Sequence, residues 1–374
     1  MDKEDKSAGD SDGVPPSRFE KHKRFWITVV VLCAFIVPLW ATEMVLRIVD
    51  AYDPFDLLFY TIQNPNDTNI LITPYGEIRF NSLGYADIEF DLADPKPRVG
   101  YIGDSVVFGL GVGHGFRIAD HLRAALPEYQ HFSIGESGAG VPSPERAERI
   151  LDQLGLDKFI YFLNLNDIQP TPPPPVAGSP PPPPSILRRV RDHPLFVFVD
   201  RLRERSRTYN MLRIAARNAM VRFGYDAIQG APAYELQPTR YRNVIEQTAS
   251  RVRQLAATVT SHGARFCVVL LPYEMQISQI AEQYYADNGI QWEDGFLDRS
   301  TQAILREELG PAIEVFDAYE AFVRRDHEVE DRGSIGLSEY YISRAGAALD
   351  WNHPNRLGHM RLAEFLLETR PCGL

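Results

Sequence analysis

Hydrophobic and polar positions along this chain fall into three regimes. The first is an uncharged stretch, Phe25 to Ala41 (FWITVVVLCAFIVPLWA), whose apolar character resumes at Met44 to Leu46 after Thr42 and Glu43. At roughly 1.5 Å per residue, a transmembrane helix over 25–46 spans a hydrocarbon core of about 30 Å. The second regime, 47–97, mixes short apolar patches with Pro, Asn and Asp, and reads as a connector with one ordered turn in FNSLGYAD, 80–87. From Arg98 the pattern becomes regular. Apolar runs of strand length recur at 98–102 (RVGYI), 131–134 (HFSI), 158–165 (KFIYFLNL), 264–271 (ARFCVVLL) and 313–318 (IEVFDA), with helical spacing between them at 116–126 and 144–154. Strands without strict alternation, interleaved with helices, are buried on both faces. The pattern predicts a doubly wound, flavodoxin-like α/β domain, a parallel sheet of about five strands with helices on both sides.

One segment interrupts that rhythm. TPPPPVAGSPPPPP, 171–184, excludes helix and inner strand and predicts polyproline II or irregular backbone. Beyond it, 185–223 sets arginines at 188, 189, 191, 201, 203, 205, 207, 213, 217 and 222 among Leu, Phe, Val, Met and Ile. This predicts two amphipathic helices inserted between the third and fourth strands. An arginine-rich face is either simply solvated or in contact with anionic lipid headgroups or an acidic glycan. The resulting division is a tail 1–24, an anchor 25–46, a connector 47–97 and a domain 98–374 that carries the insertion 171–240.

Charge and cysteine usage change this picture in two respects. The net charge of −11 argues against general nucleic-acid binding. Arg18, Lys21, Lys23 and Arg24, against Glu20 alone, precede the apolar stretch, which assigns 1–24 to the cytoplasm and the domain to the periplasm or exterior. Leu39 before Ala41 spoils a small-x-small cleavage site, so the segment reads as a retained anchor rather than a cleaved signal. Cys33, Cys267 and Cys372 form no spaced framework and read as unpaired thiols, a Cys267–Cys372 disulfide being the alternative in an oxidising compartment. The sequon Asn66-Asp67-Thr68 reads as a chance occurrence.

Candidate chemistry begins at YIGDSVVFGLGVG, 101–113, where Ser105 follows the first strand. Ligands of doubly wound sheets bind beyond the carboxyl ends of the strands, so Ser105 reads either as a nucleophile or as a helix-capping turn residue. A nucleophile needs a base, an orienting acid and oxyanion donors. Asp350-x-x-His353, in ALDWNHPNRLGHMRLAEFLLE at 348–368, supplies an acid that reaches Nδ1 while Nε2 points at the serine. His359 falls inside the following helix and is the weaker base. The second strand runs into SIGESGAG, 133–140, and the third into NLND, 164–167. The N–H groups of Ser105 and Gly138 and the amide of Asn166 then surround one point suited to a tetrahedral oxyanion. The glycines from 109 to 115 do not make GxGxxG, no GKS or GKT follows, and no HExxH occurs, so neither a metal nor another cofactor is implied.

These residues give the chain a resemblance to the SGNH/GDSL hydrolases. The GDS at Ser105, Gly138, Asn166-Asp167 and Asp350-x-x-His353 match the four blocks of that family in order, over roughly 75–374. FGLGV after the serine and HPN-x-x-GH around the histidine also resemble bacterial members with an amino-terminal anchor. Two positions depart from the pattern: Asn164 stands where the third block usually has glycine, and Ala86 where the N-x-x-G-Y segment often has arginine. The resemblance implies metal-free serine ester chemistry, with Ser105 as nucleophile, His353 as base and Asp350 as orienting acid. The expected substrate is an acyl ester, O-acetyl foremost, on an extracytoplasmic glycan or a related small ester, with lipid esters next. Acyl transfer to a sugar hydroxyl by the same triad, and a glycan-binding module without catalysis, are the two other readings.

Overall fold

The computed structural model describes residues 22–49, 51, 62–64, 66–73, 75–170, 205–225, 233–322, 339–342 and 350–374. Its first element is a long apolar helix, α1 (Lys23–Ile48), which carries Pro38 and leaves nearly all its side chains exposed. It is long and apolar enough to cross a membrane. Where the sequence predicts a connector with a single turn, β1 (Ile62–Asn64), β2 (Asp67–Thr73) and β3 (Gly76–Arg79) form an antiparallel sheet. The predicted turn is present as well. Asn81 Oδ1 accepts the N–H groups of Leu83 and Tyr85, and its Nδ2 donates to the Ile88 carbonyl.

The domain beyond is the expected one. Strands β4 (Arg98–Gly103), β5 (Gln130–Gly135), β6 (Lys158–Leu163), β7 (Arg265–Leu270) and β8 (Glu314–Asp317) lie in the order β5-β4-β6-β7-β8, all parallel. Every residue of β6 is buried, as the unalternating KFIYFL run requires of a central strand. Two apolar cores flank the sheet. On one face β-strand side chains such as Phe159, Tyr161 and Val268 meet α4 (Pro144–Leu154) and α6 (Arg242–Ser261). On the other, Tyr101, Ile160 and Val269 meet α3 (Ile118–Ala125) and, after α7 (Glu274–Ile277), α8 (Gln279–Asp287) and α9 (Ser300–Leu309), the last long helix α10 (Arg356–Thr369).

The short helix α2 (Ser105–Phe108) passes the end of β5 so closely that a Cβ on Gly135 would lie 2.0 Å from the Phe108 nitrogen. A buried ionic cluster fixes this corner. Arg117 and Arg123 both pair with Asp87, which also accepts the Ser133 N–H, and both pair with Asp120. Ala86, the departure noted above, is buried with its carbonyl taking an N–H of Arg117.

The insertion divides at the limit of the described residues. The proline run and the first of its two expected helices, with arginines 188 to 203, lie outside them. The second is α5 (Arg207–Arg222), capped by Ser206, whose Oγ accepts the Tyr209 N–H at 3.1 Å. Cys267 and Cys372 form a disulfide, in place of the unpaired thiols read from the sequence. Spacing could not reveal it, because the pair is 105 residues apart and only the sheet brings β7 against the carboxyl end.

Candidate active site

Three adjacent strands, β5, β4 and β6, open at one edge of the sheet, and each delivers one part of the site. At the end of β4, Asp104 Oδ1 accepts the Val106 N–H at 2.9 Å and caps α2. Ser105 is therefore not the capping residue. It sits in the first turn of α2, where N–H groups have no intrahelical acceptor. Its Oγ lies 2.8 Å from His353 Nε2 and 3.2 Å from Asp104 Oδ2, so the imidazole is the closer acceptor for its one proton.

His353 arrives from the loop before α10, 248 residues further along the chain. Its Nδ1 is 2.8 Å and 2.9 Å from the two oxygens of Asp350. A carboxylate accepts only, so Nδ1 carries the proton and Nε2 is left as the acceptor facing Ser105. The loop is tied down on several sides. Ile342 N–H donates to the His353 carbonyl at 3.0 Å, Asn355 N–H to that of Tyr340 at 2.9 Å, and Tyr285 OH to that of Asp350 at 2.7 Å. Asn355 Oδ1 takes the Gly358 N–H at 3.1 Å as the cap of α10, while its Nδ2 donates to the carbonyls of Glu339 and Tyr341.

Burial sets the electrostatics. It alone would raise the Asp350 carboxyl, but the charge and hydrogen bond of His353, joined by Arg217 of α5, hold it below the usual carboxylate range. Burial raises the Asp104 carboxyl in spite of the bonds it accepts. It raises Asp167 further, with Asp104 close by as a like charge. Tyr161 OH donates to Asp167 Oδ2 at 2.9 Å, and Asn164 Nδ2 to Asp104 Oδ2 at 3.2 Å.

The two remaining predicted residues stand at the neighbouring strand ends. Gly138, three residues beyond β5, has φ +77° with open space where a Cβ would point, and among the described residues nothing accepts its N–H. Its conformation favours glycine and leaves the donor open to a ligand. Asn166, after β6, has a buried Oδ1 without a hydrogen-bond partner among the described residues. Its Nδ2 donates to no group among the described residues, so the amide presents a spare donor.

Several solved structures are similar to this chain, among them two named as members of the lipolytic G-D-S-L family. One is a member of the lipolytic protein G-D-S-L family from Veillonella parvula, 14% identical over 73% of this chain and 97% of that one, with a TM-score of 0.34. Another is phospholipase A1 from Streptomyces albidoflavus, 14% identical over 73% and 99%, TM-score 0.37. A third is Est24, a carbohydrate acetylesterase from Sinorhizobium meliloti, 13% identical over 74% and 98%, TM-score 0.34. No protein-family model and no curated protein matches the chain. Likenesses this distant say nothing of the reaction.

The structure thus gathers Ser105, His353 and Asp350 into one hydrogen-bonded chain and sets Gly138 and Asn166 on the flanking strand ends. His359 stays apart. It is fully buried in α10, both ring nitrogens lack partners among the described residues, and burial, with His121 and Arg117 nearby, lowers it to about 3. Sequence reasoning missed the supporting residues Asp104, Asn164, Tyr161 and Tyr285. Asn164 was visible as an unexpected side chain in the third block, but its partner Asp104 lies 60 residues away. Cys267, Glu314 and Cys372 bring possible ligand atoms within 4.8 Å of one another, but the two sulfurs are joined in the disulfide and offer no thiolate to a metal.

Proposed function

We propose that this chain is a membrane-anchored serine esterase that cleaves acyl esters, O-acetyl foremost, on an extracytoplasmic glycan. The observation that carries this reading is the continuous chain from Ser105 Oγ through His353 to Asp350, with contacts of 2.8 Å on both sides of the imidazole. In this reaction Ser105 Oγ attacks the ester carbonyl as Nε2 takes its proton, and Asp350 stabilises the imidazolium. The Ser105 and Gly138 N–H groups and the Asn166 amide receive the oxyanion. Collapse expels the alcohol, protonated by His353, and leaves an acyl group on Ser105. Water, deprotonated by the same nitrogen, then releases the carboxylic acid.

Placement outside the cytoplasm is supported by the basic residues before α1 and by the disulfide, a bond that persists in oxidising compartments. There the esters within reach of an anchored enzyme are those of envelope glycans and lipids. The same triad would serve a second reading, transfer of the acyl group, if a sugar hydroxyl took the place of the water.

Fluorophosphonate labelling of the full chain in detergent tests the common first step. Ser105 should be the only labelled residue, and labelling that persists in Ser105→Ala sinks the proposal. Acylated glycan, supplied with and without an acceptor sugar, then separates release of free acid from appearance of acylated acceptor.

A further inference from the structure

Within the described part of the insertion, Arg207, Arg213 and Arg217 of α5 are half-buried while Arg222 is exposed at its end. In α5 the outward positions are Leu212, Ala215, Ala216, Ala219, Met220 and, just past the helix, Phe223. Helical spacing puts these on one face, and Phe223 is 79% and Leu212 53% exposed. The opposite face carries Asn210, Ile214 and Val221, all buried, with Val221 part of the domain core. Arg217 lies on that inward side, within electrostatic reach of Asp350, and Arg222 reaches Asn288 Oδ1 at 3.3 Å.

The start of α5 is fastened to the end of α1. Glu43 accepts the N–H of Thr208 at 2.9 Å, the N–H of Arg207 at 3.2 Å and the hydroxyl of Ser206 at 3.0 Å. In return Arg207 Nη1 donates to the Leu46 carbonyl at 3.2 Å, and Arg47 to that of Arg205 at 2.6 Å. A carboxylate is well matched to the positive end of a helix dipole. These bonds fall at the first turn of α5, and Leu212, one turn beyond Thr208 on the same face, is exposed. So α5 starts where the anchor ends, and its exposed apolar stripe begins one turn beyond the bonds to Glu43.

We infer that α5 is an interfacial helix, and that the stripe from Leu212 to Phe223 seats on the outer surface of the bilayer that α1 crosses. The inference rests on the membrane reading of α1. What commits the stripe to lipid, rather than to a second copy, is its continuity with the lipid-facing end of α1. Such helices sink their apolar side chains about 5–10 Å into the headgroup boundary while basic residues stay at the polar level. The consequence for the proposed esterase is that its triad, on the inward side of α5, is held against the membrane surface, and its substrate is one presented there.

Depth-dependent quenching tests this with the full chain in phosphatidylethanolamine/phosphatidylglycerol vesicles. On a Cys33→Ser background, single cysteines are introduced as Phe223→Cys, Phe35→Cys in the exposed wall of α1, and Glu128→Cys at the opposite edge of the sheet, each labelled with bimane. With nitroxide on the lipid chains, Phe35 and Phe223 probes should both be quenched several-fold more than the Glu128 probe. A quenched Phe35 probe beside a Phe223 probe no more quenched than Glu128 overturns the docking while leaving the anchor. An unquenched Phe35 probe overturns the membrane reading and the docking together. Disulfide cross-linking between copies at position 223, without quenching, assigns the stripe to a second copy and overturns the proposal.

Discussion

Asp350 is buried and still held below the usual carboxylate range, chiefly by the charge and ring N–H of His353, with Arg217 and the Asn352 N–H adding to them. Replacement by asparagine keeps the shape and reverses the donor, so the imidazole loses its tautomer. The expected result for Asp350→Asn is a fall in kcat on p-nitrophenyl acetate of about ten-thousandfold with an unchanged melting temperature. An unchanged kcat would remove Asp350 from the machinery. His359 gives a different residue-scale prediction. Its pKa is lowered to about 3, against an ordinary value of 6.5, so between those limits the unfolded chain binds a proton that the native one refuses. Its contribution is fully present above pH 6.5 and is lost as pH falls toward 3, at up to about 1.4 kcal/mol per pH unit. His359→Phe should flatten the decline of melting temperature between pH 6.5 and 4. A decline as steep as that of the parent chain would mean that His359 is charged or solvated in the native state.

At the scale of elements, α4 and the antiparallel sheet make a contrast. Ser143 caps α4, Pro144 opens it and Gly155 closes it in the left-handed region, so the sequence predicts its span, 144–154, from local chemistry alone. The strands of the antiparallel sheet are short and rich in Asn, Asp and Thr, a composition shared with turns. They are held by docking on the loop after Ser105, through His114 N–H to the Glu77 carbonyl and Arg79 N–H to His114 Nε2. Residue Asn355 shows an element end serving the site, since its side chain both caps α10 and ties the His353 loop to residues 339–341. Asn355→Ala should lower stability by about 1 kcal/mol through the lost cap. It should also reduce kcat, as the imidazole loses its fixed position. Urea titration and turnover on a soluble ester measure the two effects, and a stability loss with kcat intact would separate the cap from the catalytic loop.

For the whole molecule, the Cys267–Cys372 bond closes a loop of 105 residues that contains β8 and the loop of Asp350 and His353. Near it, Lys158 Nζ donates to the carbonyls of Cys372 and Gly373 and adds a second tie between the carboxyl end and the sheet. A loop of this length is expected to contribute about 2–5 kcal/mol. Dithiothreitol should therefore lower the melting temperature of the parent chain by several degrees, and have no effect on a Cys267→Ser/Cys372→Ser variant that already melts at the lower value. Equal melting of parent and variant without reductant would show that the bond adds no stability.

The sequence by itself determined the architecture, because that depends on patterns within one element. The apolar length of α1, the unalternating runs of β4 to β8 and the helical spacing between them follow from the period of each backbone form. It also marked Ser105, Gly138, Asn166, Asp350 and His353, since each sits in a short block at a strand end or before a helix. Only the tertiary structure decided which groups meet. Asp104 takes the cap, Asn164 turns to Asp104, Cys267 finds Cys372, and α5 turns its apolar side outward while fastening to Glu43. Each of these contacts, apart from the Asp104 cap, joins residues 60 or more positions apart. Their physical reason is the sheet order, which sets β4 between β5 and β6 and puts the carboxyl end against β7, a placement that no local period encodes.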